Sequence, residues 1–146
     1  MSFVYTRAKL NVMKGDLDFD EAGHDMRVLL VRVGSTAATQ EDATTISGFT
    51  TLNEFDGAAY VRKALASQVV NENTVLNRGE FDAPDVVWTA LGAGSSNCIG
   101  AVIFRFVTND ADSVPIAYID AGGFPFNGNG GDVTLAFNVE GILQAT

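Results

Sequence analysis

Asp16, Asp18, Asp20 and Glu21 are the first side chains along the chain whose types and spacing point to chemistry, because alternate carboxylates can converge on a calcium ion. The spacing then fails. An EF-hand loop beginning at Asp16 requires Gly at its sixth position and Glu at its twelfth, and those places hold Glu21 and Arg27. Alternation of the acids with Leu17 and Phe19 instead predicts an extended, half-buried segment with one polar and one apolar face. The glycine-rich stretch Gly128-Asn129-Gly130-Gly131-Asp132 is superficially like a calcium nonapeptide or a phosphate loop, but it occurs once and no lysine follows it. It predicts a wide turn feeding a strand.

His24 is the only histidine, so a catalytic triad or a His-carboxylate relay would have to be built on it. Its neighbours, Gly23 and Asp25, mark a polar loop, and a solvated histidine is expected. Cys98 stands alone in an apolar run, which rules out an intrachain disulfide and predicts a buried, unreactive thiol with no basic neighbour to ionise it. Glu54, Asp56, Glu80 and Asp82 offer the paired carboxylates of a glycosidase, yet no aromatic cluster accompanies them to stack a sugar. Trp88 is the only tryptophan and, with Phe81 and Val86, is expected in the core. No constellation supports an enzyme, and none calls for a cofactor or a metal.

The elements that position these residues read as strands. An N-terminal helix over residues 3–14, ending at Gly15, is followed by apolar or β-branched runs at 26–33, 60–70, 86–88, 99–107, 114–119, 133–139 and 142–144. Turn signals separate them, among them Asp56-Gly57, Arg78-Gly79, Asn109-Asp110 and Gly122-Gly123. Short strands at this spacing, without helices to make parallel crossovers, predict an all-β antiparallel sandwich, jelly-roll-like, with a short N-terminal helix or arm. The expected division is an arm over 1–15 and a single β-sandwich domain over 16–146. Residues 34–53, rich in Thr, Ser, Ala and Gly, are expected to run as a long excursion over the surface.

Eighteen acidic against nine basic residues give a net charge of −9, which argues against nucleic acid or an anionic membrane as partner. Only 18% of residues are charged, below the roughly 25% usual for soluble domains, so apolar surface is expected to be covered by self-association. No apolar run is long enough to span a bilayer and the first residues lack a signal-peptide layout, so a soluble protein is expected.

The order of several stretches resembles a known family: Phe49-Thr50-Thr51-Leu52-Asn53-Glu54-Phe55-Asp56-Gly57 with Tyr60, Phe81-Asp82-Ala83 before Val86, Val114-Pro115-Ile116-Ala117-Tyr118-Ile119-Asp120, Gly130-Gly131-Asp132-Val133-Thr134 and Glu140-Gly141-Ile142-Leu143. Over most of its length the chain is similar to small virion proteins of tailed bacteriophages. The resemblance implies a capsid decoration, or cement, protein that binds the outside of the phage head as a homotrimer. Its partner would be the major capsid protein, and it would be made in the host cytoplasm. A tail-tip or receptor-binding β module of the virion is the alternative. Arg7, Lys9 and Lys14 make the N-terminal segment the most basic stretch, a candidate to reach an acidic shell. Phe124 and Phe126, flanking Pro125, fit either an interface anchor or packing beneath their loop.

Overall fold

A computed structural model describes residues 1–20 and 23–145 as an antiparallel β-sandwich with one short helix. Its elements are β1 (Phe3–Val4), α1 (Thr6–Lys14), β2 (Met26–Arg32), β3 (Lys63–Ala64), β4 (Val69–Asn73), β5 (Arg78–Asp82), β6 (Val86–Leu91), β7 (Cys98–Arg105), β8 (Val114–Ile119), β9 (Gly131–Leu135) and β10 (Leu143–Ala145). The first layer is a five-stranded sheet in the order β1-β8-β7-β2-β3. The predicted N-terminal arm is thus part of the sandwich: Phe3 and Val4 pair with Tyr118 and Ala117, and the helix begins only at Thr6.

Strands β2 and β7 are apolar almost without interruption because both faces of this sheet are buried. Val28, Leu30, Ala101 and Ile103 point towards the second layer. Leu29, Val31, Val102 and Phe104 point the other way, into a second core. Residues 34–53 cover that outer face. They were expected to pass over the surface, but Ala37, Ala43, Ile46 and Phe49 are all buried against the sheet. Composition hid this because two large anchors, Ile46 and Phe49, suffice when alanines fill the space between. Gln40 fastens the cover from within, its amide donating to the Gly48 carbonyl and its oxygen accepting from the Thr50 N–H. Tyr5, fully buried, donates its hydroxyl to the Ala37 carbonyl at 2.7 Å.

The second layer is two long runs of chain, each bent once. β5 continues into β6 through 83–85, and β9 continues towards β10 through 136–142. β5 pairs with β10 and β6 with β9, while β4 adds to the far edge of β5. Pro84 sits in the first bend, where a missing N–H costs no ladder bond. The Asp85 carboxylate accepts from the Phe137 N–H at 2.9 Å, and the Ile142 N–H reaches the Phe81 carbonyl at 2.7 Å to resume pairing. Trp88, Phe55, Phe81, Leu91 and Leu135 pack between the layers, and Ala8 and Leu17 extend the same core to the α1 end.

Three strand readings need correction. Arg78-Gly79 opens β5 instead of forming a turn; the reversal lies at 74–77, where Asn77 takes the left-handed conformation (φ 53°) that asparagine tolerates. The run 60–70 is broken, only Lys63–Ala64 pairing with β2 before Ser67 (φ 50°) turns the chain into β4. The run 133–139 starts earlier, at Gly131, and leaves the ladder after Leu135.

Candidate assembly surface

Helix α1 has no acidic residue in its first turn and Lys14 in its last, where a cation complements the carbonyl end of the helix. It closes in a Schellman arrangement: the N–H of Gly15 (φ 72°) donates to the Val12 carbonyl and that of Asp16 to Asn11. Ala8 faces the core, whereas Lys9, Val12 and Met13 are exposed. Among the described residues Arg7, Lys9 and Lys14 make no ion pair. Three unpaired cations on one short helix stand out in a chain of net charge −9.

Opposite α1 the inner face of the β10-β5-β4 sheet projects past the core. Register places Val70, Phe81 and Leu143 in one row and Glu72, Gly79 and Ala145 in the next row on that face. Phe19 closes one side, its ring 4.6 Å from that of Phe81. Gly79 contributes no side chain, and a groove of about 470 Å³ remains, lined by Lys9, Val12, Phe19, Val70, Phe81 and Leu143 among others. Val12 is 47% exposed and Val70 49%, so two branched apolar side chains face water across it. Of the candidate contact residues, Lys9 lines this groove, and Arg7 and Lys14 belong to the same helix. Val12, Val70 and Leu143 carried no sequence signal of their own, since nothing local tells an apolar residue facing an open groove from one in a core.

Phe124 and Phe126 are not part of this surface. Their rings lie 5.5 Å apart, Phe126 is 6.0 Å from Phe55, and Phe126 exchanges two backbone hydrogen bonds with Cys98. Within the chain both rings are half-buried.

The remaining candidates hold the fold together. Glu54 accepts from the Tyr60 hydroxyl at 2.7 Å and from the Arg62 guanidinium, which also grips Asp110 and so ties three loops. Asp56 accepts from the Ser95 hydroxyl and N–H, and Glu80 from Arg78 and Asn73. Asp82 caps its own neighbour, the Ala83 N–H. Burial pushes the Cys98 thiol up to about 12, so it stays protonated. Leu17 and Phe19 turn inward while Asp16, Asp18 and Asp20 face solvent, the alternation expected; Glu21 lies outside the described residues. Asn129 and Asp132 brace the glycine-rich turn, accepting from the N–H groups of Gly131 and Ala90.

His24 gives the fold a pH dependence. Its Nδ1 accepts from the Asp18 N–H at 3.0 Å, which requires a neutral ring, and burial together with Arg105 holds its pKa below the ordinary 6.5. The unfolded chain therefore takes up this proton first, and stability falls as pH drops below 6.5 until the folded-state value is passed. Asp56, Glu80 and Asp112 lie below their ordinary carboxylate values, chiefly through the hydrogen bonds they accept, and their contribution is lost at still lower pH. Urea unfolding of the wild type is expected to show lower stability at about pH 5.5 than at about pH 7.5, a difference that shrinks in His24→Gln. An unchanged difference in that variant would assign the effect to other groups.

Compared with family models, curated proteins and solved structures, the chain matches none.

Proposed function

We propose that this chain is a structural protein of a tailed-bacteriophage virion, a capsid decoration protein that binds the outer surface of the head as a homotrimer and stabilises the shell. The observation that carries this reading is the α1 groove, an apolar cleft with exposed Val12 and Val70, with Lys9 and Glu80 in its lining, on a protein whose candidate catalytic carboxylates are committed to internal hydrogen bonds. A surface of that kind suits burial against another protein chain. The stretches that carry the family resemblance build the end of the outer-face cover and its exit beside β2, together with β8, β9 and the bends of the second layer, so what they specify is the scaffold. Such a protein acts by mass action: binding across adjacent capsid subunits only in their mature arrangement stabilises that arrangement, and no residue needs to react.

The test is attachment to particles that lack the protein. Wild-type chain is expected to bind in hundreds of copies at three-fold positions, and Lys9→Glu combined with Val12→Asp to lower occupancy about tenfold or more at equal concentration. Both residues are exposed, so circular dichroism of the variant should match the wild type. A handful of copies at the tail would instead favour a receptor-binding role, and absence from particles would overturn the virion reading.

A further inference from the structure

Of the strands that end the two larger sheets, β4 is the one left open. β1, β3 and β10, at the other ends, are only two or three residues long, and β3 carries Lys63. Short strands and lysines are devices that discourage a foreign strand from adding to an edge. β4 runs for five residues, Val69-Val70-Asn71-Glu72-Asn73, with no proline, lysine, arginine or bulge, in unbroken register with β5. Beyond that ladder none of them makes a backbone hydrogen bond among the described residues, so one side of the strand keeps N–H and C=O groups available. Val69 and Val70, on opposite faces of the strand, are 44% and 49% exposed.

The sequence of β4 suits a second copy of itself. Antiparallel pairing that overlaps the whole strand sets Asn71 opposite Asn71 of the partner subunit, Val69 opposite the partner's Asn73 and Val70 opposite the partner's Glu72. Opposed residues share a face, so the inner face of one sheet continues into that of the other. Asn71 then lies on the two-fold axis, where a carboxamide, donor and acceptor at once, complements its own copy. Glu72, the only charge of the strand, meets valine, so no like charges stand opposite. The partner's Glu72 arrives beside Val70, on the face that borders the α1 groove, and Lys9 lines the same groove. Among the described residues neither Lys9 nor Glu72 makes an ion pair, whereas Glu80 is already held by Arg78 and Asn73. The pairing therefore carries an unpaired carboxylate to a groove with an unpaired ammonium in its lining, twice by symmetry.

We propose that β4 is a self-association edge: two copies of this chain pair their β4 strands about a two-fold axis at Asn71, with each Glu72 at the other copy's α1 groove. The inference rests on the reading of that groove as an assembly surface, and not on the phage shell. A two-fold contact does not close a three-fold ring, so in the proposed homotrimer it links one trimer to the next.

The experiment is disulfide trapping of the full chain in solution with oxidised glutathione, read on non-reducing gels. Directly opposed Cα atoms of an antiparallel pair lie about 4.5–5.5 Å apart, within the roughly 4.4–6.8 Å that a disulfide spans. Asn71→Cys is therefore expected to give covalent dimers, in yields about tenfold above those of Val69→Cys, whose thiol faces the partner's Asn73, and of Val75→Cys on the 74–77 turn. All three positions are exposed, so the variants are expected to fold, checked by circular dichroism. Cys98 is buried and protonated and does not compete. Adding Glu72→Lys should cut the Asn71→Cys yield about fivefold, and Lys9→Glu should restore it. Equal yields from the three thiols, or no dimer from Asn71→Cys, would overturn the proposal, and a yield indifferent to Glu72→Lys would overturn its groove contact. Particles take no part, so failure here leaves attachment to the shell standing, and failed attachment leaves the trapped dimer standing.

Discussion

Gly128→Ala is expected to lower stability by about 3 kcal/mol or more, read as a shift in the denaturant midpoint of unfolding. The cause is space alone. A Cβ at Gly128 would lie 2.0 Å from the Gly92 carbonyl oxygen and 2.5 Å from that of Leu91, and neither is a flexible side chain that can swing aside. Gly57 approaches the same Gly92 oxygen from another loop, its added Cβ falling at 2.2 Å. Three segments thus meet backbone to backbone at one carbonyl. Gly130→Ala is the matched control, because a Cβ there meets nothing within 4 Å while the backbone sits at φ 87°. Its cost should be about 1 kcal/mol, the conformational penalty without the steric one. Equal losses for the two variants would mean that the three-loop junction yields and is not a fixed point of the fold.

Trp88→Ala should cost about 3–5 kcal/mol and reduce Tm by about 10 °C or more, measured by far-ultraviolet circular dichroism since the substitution removes the only tryptophan. The indole is fully buried between the layers, and its Nε1–H donates to the Val61 carbonyl at 2.7 Å. Truncation leaves both a cavity and an unpaired carbonyl. Trp88→Phe separates these effects, since it restores much of the volume and still abandons the hydrogen bond. A loss below about 1 kcal/mol in Trp88→Ala would show that the two sheets collapse onto the vacated space.

Much of the sandwich was legible because its central strands are strongly apolar. β2, β6, β7, β8 and β10 are each found where the residues placed them, within a residue or a few of their ends. The strands that were missed or displaced, β1, β3, β4, β5 and β9, are short, lie at edges or carry charges. In β4 every residue but Asn73 is exposed, so no alternation survives to be read. The ends of β5 and β9 were obscured by glycines that mark turns in most chains: Gly79 sits within β5 and Gly131 opens β9. For the site, the basic character of α1 was plain from Arg7, Lys9 and Lys14. The groove was not, because Val12, Val70 and Leu143 come together only through tertiary structure, from positions more than fifty residues apart in sequence.

The placement of β1 also sets an order of events. Phe3 finds its partner at Tyr118 and Val4 at Ala117, β2 pairs with β7 across about seventy residues, and β5 closes on β10 at Leu143. Pairings of such sequence separation make for slow folding, roughly milliseconds to seconds for sandwiches of this kind, because long loops must close before any contact rewards them. During synthesis the first strand has no partner until β8 emerges, and one wall of the α1 groove is missing until β10 follows. A nascent or truncated chain therefore cannot present that groove, which exists only in molecules that have already finished folding.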